Sequence, residues 1–278
     1  RESITIKSKV IGNGRAVLLY MEEMSMKEKL YTIPLNDAMD AHDECPFCFI
    51  ERNVEHDIMD YVLGSCASYM ESDTRDETDK AGFCRMHYQK MFDYGNTLGN
   101  GWILKTHYKK LIGEMKEQFS RFSPGKTSFM DKLKGRPAET NSVAAWIEEK
   151  ESSCYICDYF KKEYARYLDT FFYLYKNDSA FRTKLADSKG FCLHHFKDVL
   201  NGADAKLSDA EKKDFFPLVF RLMEENMERV SSDVDWLIEK FDYRNKDADW
   251  KTSKDAIQRG MQKLKGGYPA DPAYKMNK

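Results

Sequence analysis

Gly82-Phe83-Cys84-Arg85-Met86-His87 is written a second time as Gly190-Phe191-Cys192-Leu193-His194-His195, 108 residues further along the chain. Each copy has an upstream companion: Cys45-Pro46-Phe47-Cys48 before the first and Cys154-Tyr155-Ile156-Cys157 before the second. Six of the seven cysteines therefore belong to one pattern used twice: C-x-x-C, a gap of 34 or 35 residues, then C-x-x-H. Thiolate sulfur and imidazole nitrogen are the preferred ligands of zinc, which takes them tetrahedrally. The spacing in C-x-x-C lets both sulfurs face one ion. In C-x-x-H at a helix start, three residues make nearly one turn, so Cys84 and His87 face the same way, as do Cys192 and His195. Gly82 and Gly190 stand two residues earlier, where the chain must turn sharply.

The simplest reading is two Cys3His sites in sequence order. One holds Cys45, Cys48, Cys84 and His87, and the other holds Cys154, Cys157, Cys192 and His195. Spacing leaves open an arrangement in which the pairs exchange partners between the halves. His194 adjoins His195, but only His195 matches the position of His87. Four protein ligands describe a closed, structural ion rather than a catalytic one with an open position. Two zinc ions are thus expected, with an iron–sulfur cluster as the competing occupant and a set of buried reduced thiols as the bland alternative.

The rest of the chain reads mainly as α-helix. Ile50, Val54, Ile58, Tyr61 and Val62 recur at helical spacing. So do Leu104, Tyr108, Leu111, Ile112, Met115 and Phe119, and the aromatic series Phe160, Tyr164, Tyr167, Leu168, Phe171 and Tyr175. Ser208 with Glu211 forms a capping box that opens a long helix. Pro217 suits only a first turn, which could delay the start to that point. From there Val219, Met223, Asn226, Val230, Val234, Leu237 and Phe241 make a core-facing stripe, expected to pack across both halves. Residues 4–20 alternate like strands around Asn13-Gly14, a hairpin turn signal. The expected architecture is two related helical halves, each pinned by a Cys3His metal site. Residues 1–25 form an extension with a β-hairpin, 26–120 the first half, 121–141 a Pro/Gly-bearing linker, 142–245 the second half, and 246–278 a polar tail.

The 278 residues carry a net charge of −2 with 32% charged side chains. That balance gives no argument for nucleic acid. No run of 18 apolar residues exists to span a membrane. Cysteines in a charged chain without an apolar leader favour metal or redox chemistry over disulfides, and so a cytoplasmic location. Cys66 falls outside the repeat and reads as a small core residue, with a reactive thiol as the sharper alternative. Glu71, Asp73 and Arg75 form a charged cluster before the first GFC, and Arg75 offers a fork for carboxylate or phosphate. Asp242, Tyr243 and Arg244 close the long helix, where Asp242 and Arg244 can pair locally or contact a ligand.

YTIPLNDAM at 31–39, CPFC at 45–48, MESDTRDETDKAGFCRMH at 70–87, LGNGWIL at 98–104, GFCLHH at 190–195 and FDYRN at 241–245 together resemble a bacterial family known only as a domain of unknown function. The resemblance covers roughly residues 27–250. It implies a cytosolic, metal-binding protein and stresses the eight ligand candidates with Glu71, Asp73, Arg75, Asp242, Tyr243 and Arg244. It carries no activity. Two functional classes follow. One is a zinc protein that binds another protein or a small anionic ligand, with Glu71, Asp73, Arg75, Tyr243 and Arg244 as candidate contacts. The other is an iron–sulfur or thiol-based redox enzyme with a site near Glu71, Arg75 and Cys66.

Overall fold

The computed structural model describes residues 31–64, 70–123 and 141–271. The expected N-terminal hairpin, Cys66 and most of the expected linker lie outside these residues. Among the described residues there are eleven α-helices and no strand. They are α1 (residues 31–40), α2 (Pro46–Leu63), α3 (Ser72–Ala81), α4 (Arg85–Tyr94), α5 (Thr97–Arg121), α6 (Ser142–Ser152), α7 (Tyr155–Asn177), α8 (Ser179–Ala186), α9 (Leu193–Lys206), α10 (Asp209–Glu239) and α11 (Ala256–Lys265). The helical expectation holds, because apolar residues at spacings of three and four can be buried together only on one face of a helix.

Local chemistry sets the helix ends. Gly95 takes φ +89° at the end of α4, and the Asn96 side chain then accepts from the Gly99 amide, opening α5. Asn141 and Asp178 cap α6 and α8 in the same way. Ser208 and Glu211 complete both bonds of the capping box. The long helix therefore opens at Ser208, not at Pro217, which lies within α10. A proline inside a helix leaves the carbonyl four residues back without a donor. Here both Lys213 and Pro217 are exposed, so water can meet that carbonyl.

Two compact units result, and they are not consecutive stretches of chain. The first combines residues 31–50 with 165–268. The second combines 51–164 with 269–271. Two helices change unit along their length: α2 begins in the first and ends in the second, and α7 does the reverse.

The first unit buries an aromatic cluster. Phe47, Phe171, Phe172, Phe181, Phe191 and Phe215 are all at most 1% exposed. Phe171 lies 5.5 Å from both Phe47 and Phe181, and 6.0 Å from Phe191, in tilted or edge-on contacts favoured by ring quadrupoles. Phe47 and Phe191 are middle residues of C-P-F-C and G-F-C, so the metal motifs also supply the core. The helix α10 packs against α8, α9 and α11 within this unit, and its Arg229 also reaches Glu44 of the first sequence half. Its stripe is buried at Val219, Met223 and Val230, but Phe241 is 81% exposed.

The stretch from residue 246, expected to be a polar tail, is folded through residue 271. Two 3-10 turns, Tyr243–Asn245 and Ser253–Asp255, lead into α11. This helix buries Arg259, Gln262 and Lys263, so its polarity misleads: the buried side is the polar one, held by ion pairs and hydrogen bonds.

In the second unit Ile58, Met59, Val62, Leu63, Phe83, Met91, Tyr94, Ile103 and Ile156 form one core, with Trp102, Tyr88 and Tyr155 packed against it. Tyr94 satisfies its phenol on Asp60 at 2.6 Å.

Candidate metal centres

The eight predicted ligands assemble into two buried or half-buried groups, but not with the sequential partners. Centre I is Cys45, Cys48, Cys192 and His195. Centre II is Cys84, His87, Cys154 and Cys157. The simplest sequence assignment is thereby corrected. The outer two motifs pair with each other and the inner two pair with each other. Element lengths supply the reason. From Cys48 the helix α2 runs on for 15 residues to Leu63, about 22 Å at 1.5 Å per residue, and carries the chain into the second unit, where Cys84 and His87 lie. The 20 residues of α7 that follow Cys157 carry it back into the first unit, where Cys192 and His195 lie.

Both C-x-x-H motifs open helices as expected. Cys84 is the N-cap of α4 and Cys192 the N-cap of α9, and the Cys192 sulfur accepts the His195 amide at 3.5 Å. The amide-rich end of a helix favours negative charge there, which suits a thiolate. Gly82 at φ +62° and Gly190 at φ +71° make the sharp turns before them. A β-carbon on Gly82 would meet His107 Cε1 at 2.9 Å, and one on Gly190 would meet Met223 Sδ at 3.3 Å. Gly82→Ala is therefore expected to cost at least about 1–3 kcal/mol from backbone strain, and more than Gly190→Ala, whose neighbour is a flexible thioether. Paired denaturation curves check this, and a smaller loss for Gly82→Ala than for Gly190→Ala contradicts it.

The geometry fits a single ion in each centre. In centre I, His195 Nδ1 lies 3.4 Å from the Cys45 sulfur, 3.5 Å from that of Cys48 and 3.3 Å from that of Cys192. The Cys48 and Cys192 sulfurs are 3.7 Å apart. In centre II, His87 Nδ1 lies 3.2 Å from the sulfurs of Cys84 and Cys154 and 3.4 Å from that of Cys157, with Cys84 and Cys157 3.9 Å apart. Metal–sulfur bonds of about 2.3 Å and metal–nitrogen bonds of about 2.0 Å give tetrahedral edges of about 3.8 Å between sulfurs and about 3.5 Å between sulfur and nitrogen. Three thiols converging on one imidazole nitrogen exceed what that nitrogen can satisfy by hydrogen bonding, since it offers one proton or one lone pair. Sulfurs 3.7 Å apart are also far beyond a disulfide bond of about 2.05 Å.

The donors of each centre shift one another's proton affinity. Burial depresses His195, but hydrogen bonds that the protonated ring donates to Cys192 and Cys45 outweigh it and raise the imidazole to about 10. His87 likewise reaches about 10 through Cys154 and Glu55, against burial. Burial pushes the Cys154 thiol up, and hydrogen bonds from His87 and backbone amides bring it down to about 6. Cys192 is also driven towards the thiolate, first by hydrogen bonds from Cys45 and Cys48.

The surroundings of the centres were not foreseen from the sequence. His87 Nε2 contacts Glu55 Oε1 at 2.9 Å, and Lys90 holds both Glu55 oxygens at 2.5 and 2.6 Å. This carboxylate fixes the ring so that Nδ1 faces the sulfurs. Glu55→Ala is expected to weaken metal retention at centre II by about 10- to 100-fold and leave centre I unchanged. Competition with a chromophoric chelator measures this, and equal retention at both centres refutes it.

Centre I is covered by α11. A β-carbon on Gly266, at φ +82°, would sit 3.5 Å from the Cys192 sulfur and 3.6 Å from that of Cys48. The Lys263 ammonium donates to the carbonyls of Glu44 and Lys189, each beside a metal motif. Glu44 is 3% exposed and gathers Arg229 at 2.5 Å, Lys263 at 3.3 Å, Arg259 at 3.7 Å and Lys189 at 3.8 Å. Gly266-Gly267 after a short charged segment was the available clue, because paired glycines often end a helix.

The expected ligand-contact residues sit at the surface. Glu71 precedes α3, and Asp73 lies in its exposed first turn with Arg75 half-buried behind it. Arg244 forks onto Asp242 at 2.6–3.1 Å, the local pairing foreseen, and Tyr243 is 85% exposed. The Glu71 group belongs to the second unit and the Tyr243 group to the first. His194 is exposed beside its ligating neighbour. No helix among the described residues is long and apolar enough to cross a membrane.

Fold and centres together define an all-helical protein organised around two Cys3His groups that can each hold a metal ion. The chain belongs to the family described as a family of unknown function (DUF6062), whose model matches residues 26–271. The resemblance read from the motifs is thereby borne out. No curated protein and no solved structure matches the chain.

Proposed function

We propose that the protein is a cytoplasmic zinc protein whose two ions are structural and whose helical body is a binding module. The observation that carries this reading is the convergence of three sulfurs on one imidazole nitrogen, at tetrahedral edge lengths, in both centres. A compact single-ion cage supports zinc over a cluster, whose ligands bind separate irons and must spread over more than one tetrahedral edge. Four protein ligands per ion support a structural role, since a catalytic ion keeps a position for water. The free, paired thiols among the described residues suit a reducing compartment.

Metal analysis by mass spectrometry with a visible spectrum, on protein purified without oxygen, tests it. Two zinc ions per chain in a colourless protein, with helicity lost on chelation, is the expected result. Iron with sulfide and a visible band that bleaches on reduction overturns it in favour of redox chemistry.

A further inference from the structure

The helix α6 buries none of its residues fully, although Val143, Trp146 and Ile147 give it an apolar side. Protein interiors are close-packed, and facing apolar helix sides normally interdigitate. Among the described residues the space between α6 and α5 remains open as a 400 Å³ cleft floored by Phe83 and walled by Leu111, Met115, Trp146 and Ile147. That volume lies within the range of small-molecule sites, which are mostly apolar with few polar groups. One polar group in the wall has its role set by its neighbour. His107 Nδ1 lies 2.9 Å from the Asp79 carbonyl, which can only accept, so Nδ1 carries the proton. In the neutral ring Nε2 is then a hydrogen-bond acceptor, and it lies beside Gly82, where a β-carbon would come within 3.1 Å of it. Charge at the cleft does not favour an anion. Lys150 is already paired with Glu114 at 2.6 Å, and Glu151 adds a negative group.

We propose that this cleft is a binding site for an uncharged aromatic molecule bearing one hydroxyl, which donates to His107 Nε2 while its ring lies between Trp146 and the α5 side chains. The inference rests on the reading of the protein as a binding module and gives that module its ligand class. It also couples the ligand to centre II, because the Gly82-Phe83 floor leads directly into Cys84, and the Gly82 carbonyl accepts from the Tyr155 amide between the two ligands of the second C-x-x-C.

Calorimetric titration of the metal-loaded full chain with three probes tests it: 2-naphthol, 2-methoxynaphthalene and 2-naphthoate. One-to-one binding of 2-naphthol is expected, about fivefold tighter than 2-methoxynaphthalene, which lacks the donor, and tighter than the anion. His107→Phe should erase the difference between the first two. Leu111→Trp, which fills the cleft from a half-buried position, should block all three while metal content and circular dichroism stay at wild-type values. Absence of 2-naphthol binding, a preference for 2-naphthoate, or binding untouched by a folded Leu111→Trp variant overturns the proposal. Metal content measured on the same sample separates the two readings: two zinc ions without naphthol binding defeats the ligand assignment alone, and iron with sulfide defeats the zinc module whatever the cleft binds.

Discussion

Cys45→Ser combined with Cys192→Ser is expected to leave one metal ion per chain, whereas Cys45→Ser combined with Cys84→Ser is expected to leave none. The first pair removes two ligands from centre I and spares centre II. The second pair takes one ligand from each centre. Sequential pairing predicts the reverse, because Cys45 and Cys84 would then share an ion. A structural site built from four protein ligands contributes folding free energy outright, of order 10 kcal/mol in small zinc domains, so the effects on stability are also large. Loss of the fourth ligand exposes three remaining donors to water and to protons at His87 or His195. Metal per chain, measured after gel filtration in the presence of a weak chelator, separates the outcomes. Equal metal content in the two double variants defeats the nested arrangement.

Glu44→Ala is expected to lower stability by about 3 kcal/mol, the lower end of the cost of breaking a buried ion pair. The carboxylate is nearly inaccessible, and Lys263 beside it is just as deeply buried. Arg259 retains Asp233 and Asp255, each at 2.8 Å, and Arg229 is 35% exposed and can be hydrated. Lys263 loses its closest carboxylate and keeps only two backbone carbonyls, in a place where burial already pulls its pKa below the ordinary lysine value. The remedy open to the protein is to release α11, which uncovers the sulfurs of Cys48 and Cys192. A loss near 3 kcal/mol corresponds to a fall of about 6–12 °C in the melting midpoint for a chain of this size. The variant should also surrender the centre I ion to a chelator faster than the wild type. A midpoint unchanged within a degree, or faster loss at centre II instead, would show that the Glu44 network does not hold the cover in place.

These two expectations mark where sequence reading ended. The ligand residues were legible because metal chemistry restricts them to a few side chains at fixed short spacings, and C-x-x-C and C-x-x-H are local. The turn glycines were legible for the same reason, since positive φ at Gly82 and Gly190 is decided within two or three residues. Helix type was legible from the spacing of apolar residues, and the start of α10 from two residues of a capping box. Each of these rests on interactions between neighbours in the chain.

Partner choice between the motifs was not legible. The two C-x-x-C motifs are chemically equivalent to each other, as are the two C-x-x-H motifs, so no side chain prefers one ion over the other. The choice falls to α2 and α7, which take the chain from one compact unit into the other and back. The role of residues 246–271 was hidden for a different reason. Hydropathy marks burial of apolar groups, but α11 is held by Arg259, Gln262 and Lys263 reaching polar partners far away in sequence: Asp233, Asp43 and Glu44. Glu55 gave no signal either, being one acidic residue among many on a helix until folding places it against His87. The sequence by itself determined which atoms can hold metal and where helices begin. Tertiary structure alone decided which atoms share an ion and what covers it, because those outcomes depend on the distance a rigid helix spans and on charges that meet only after the chain has closed.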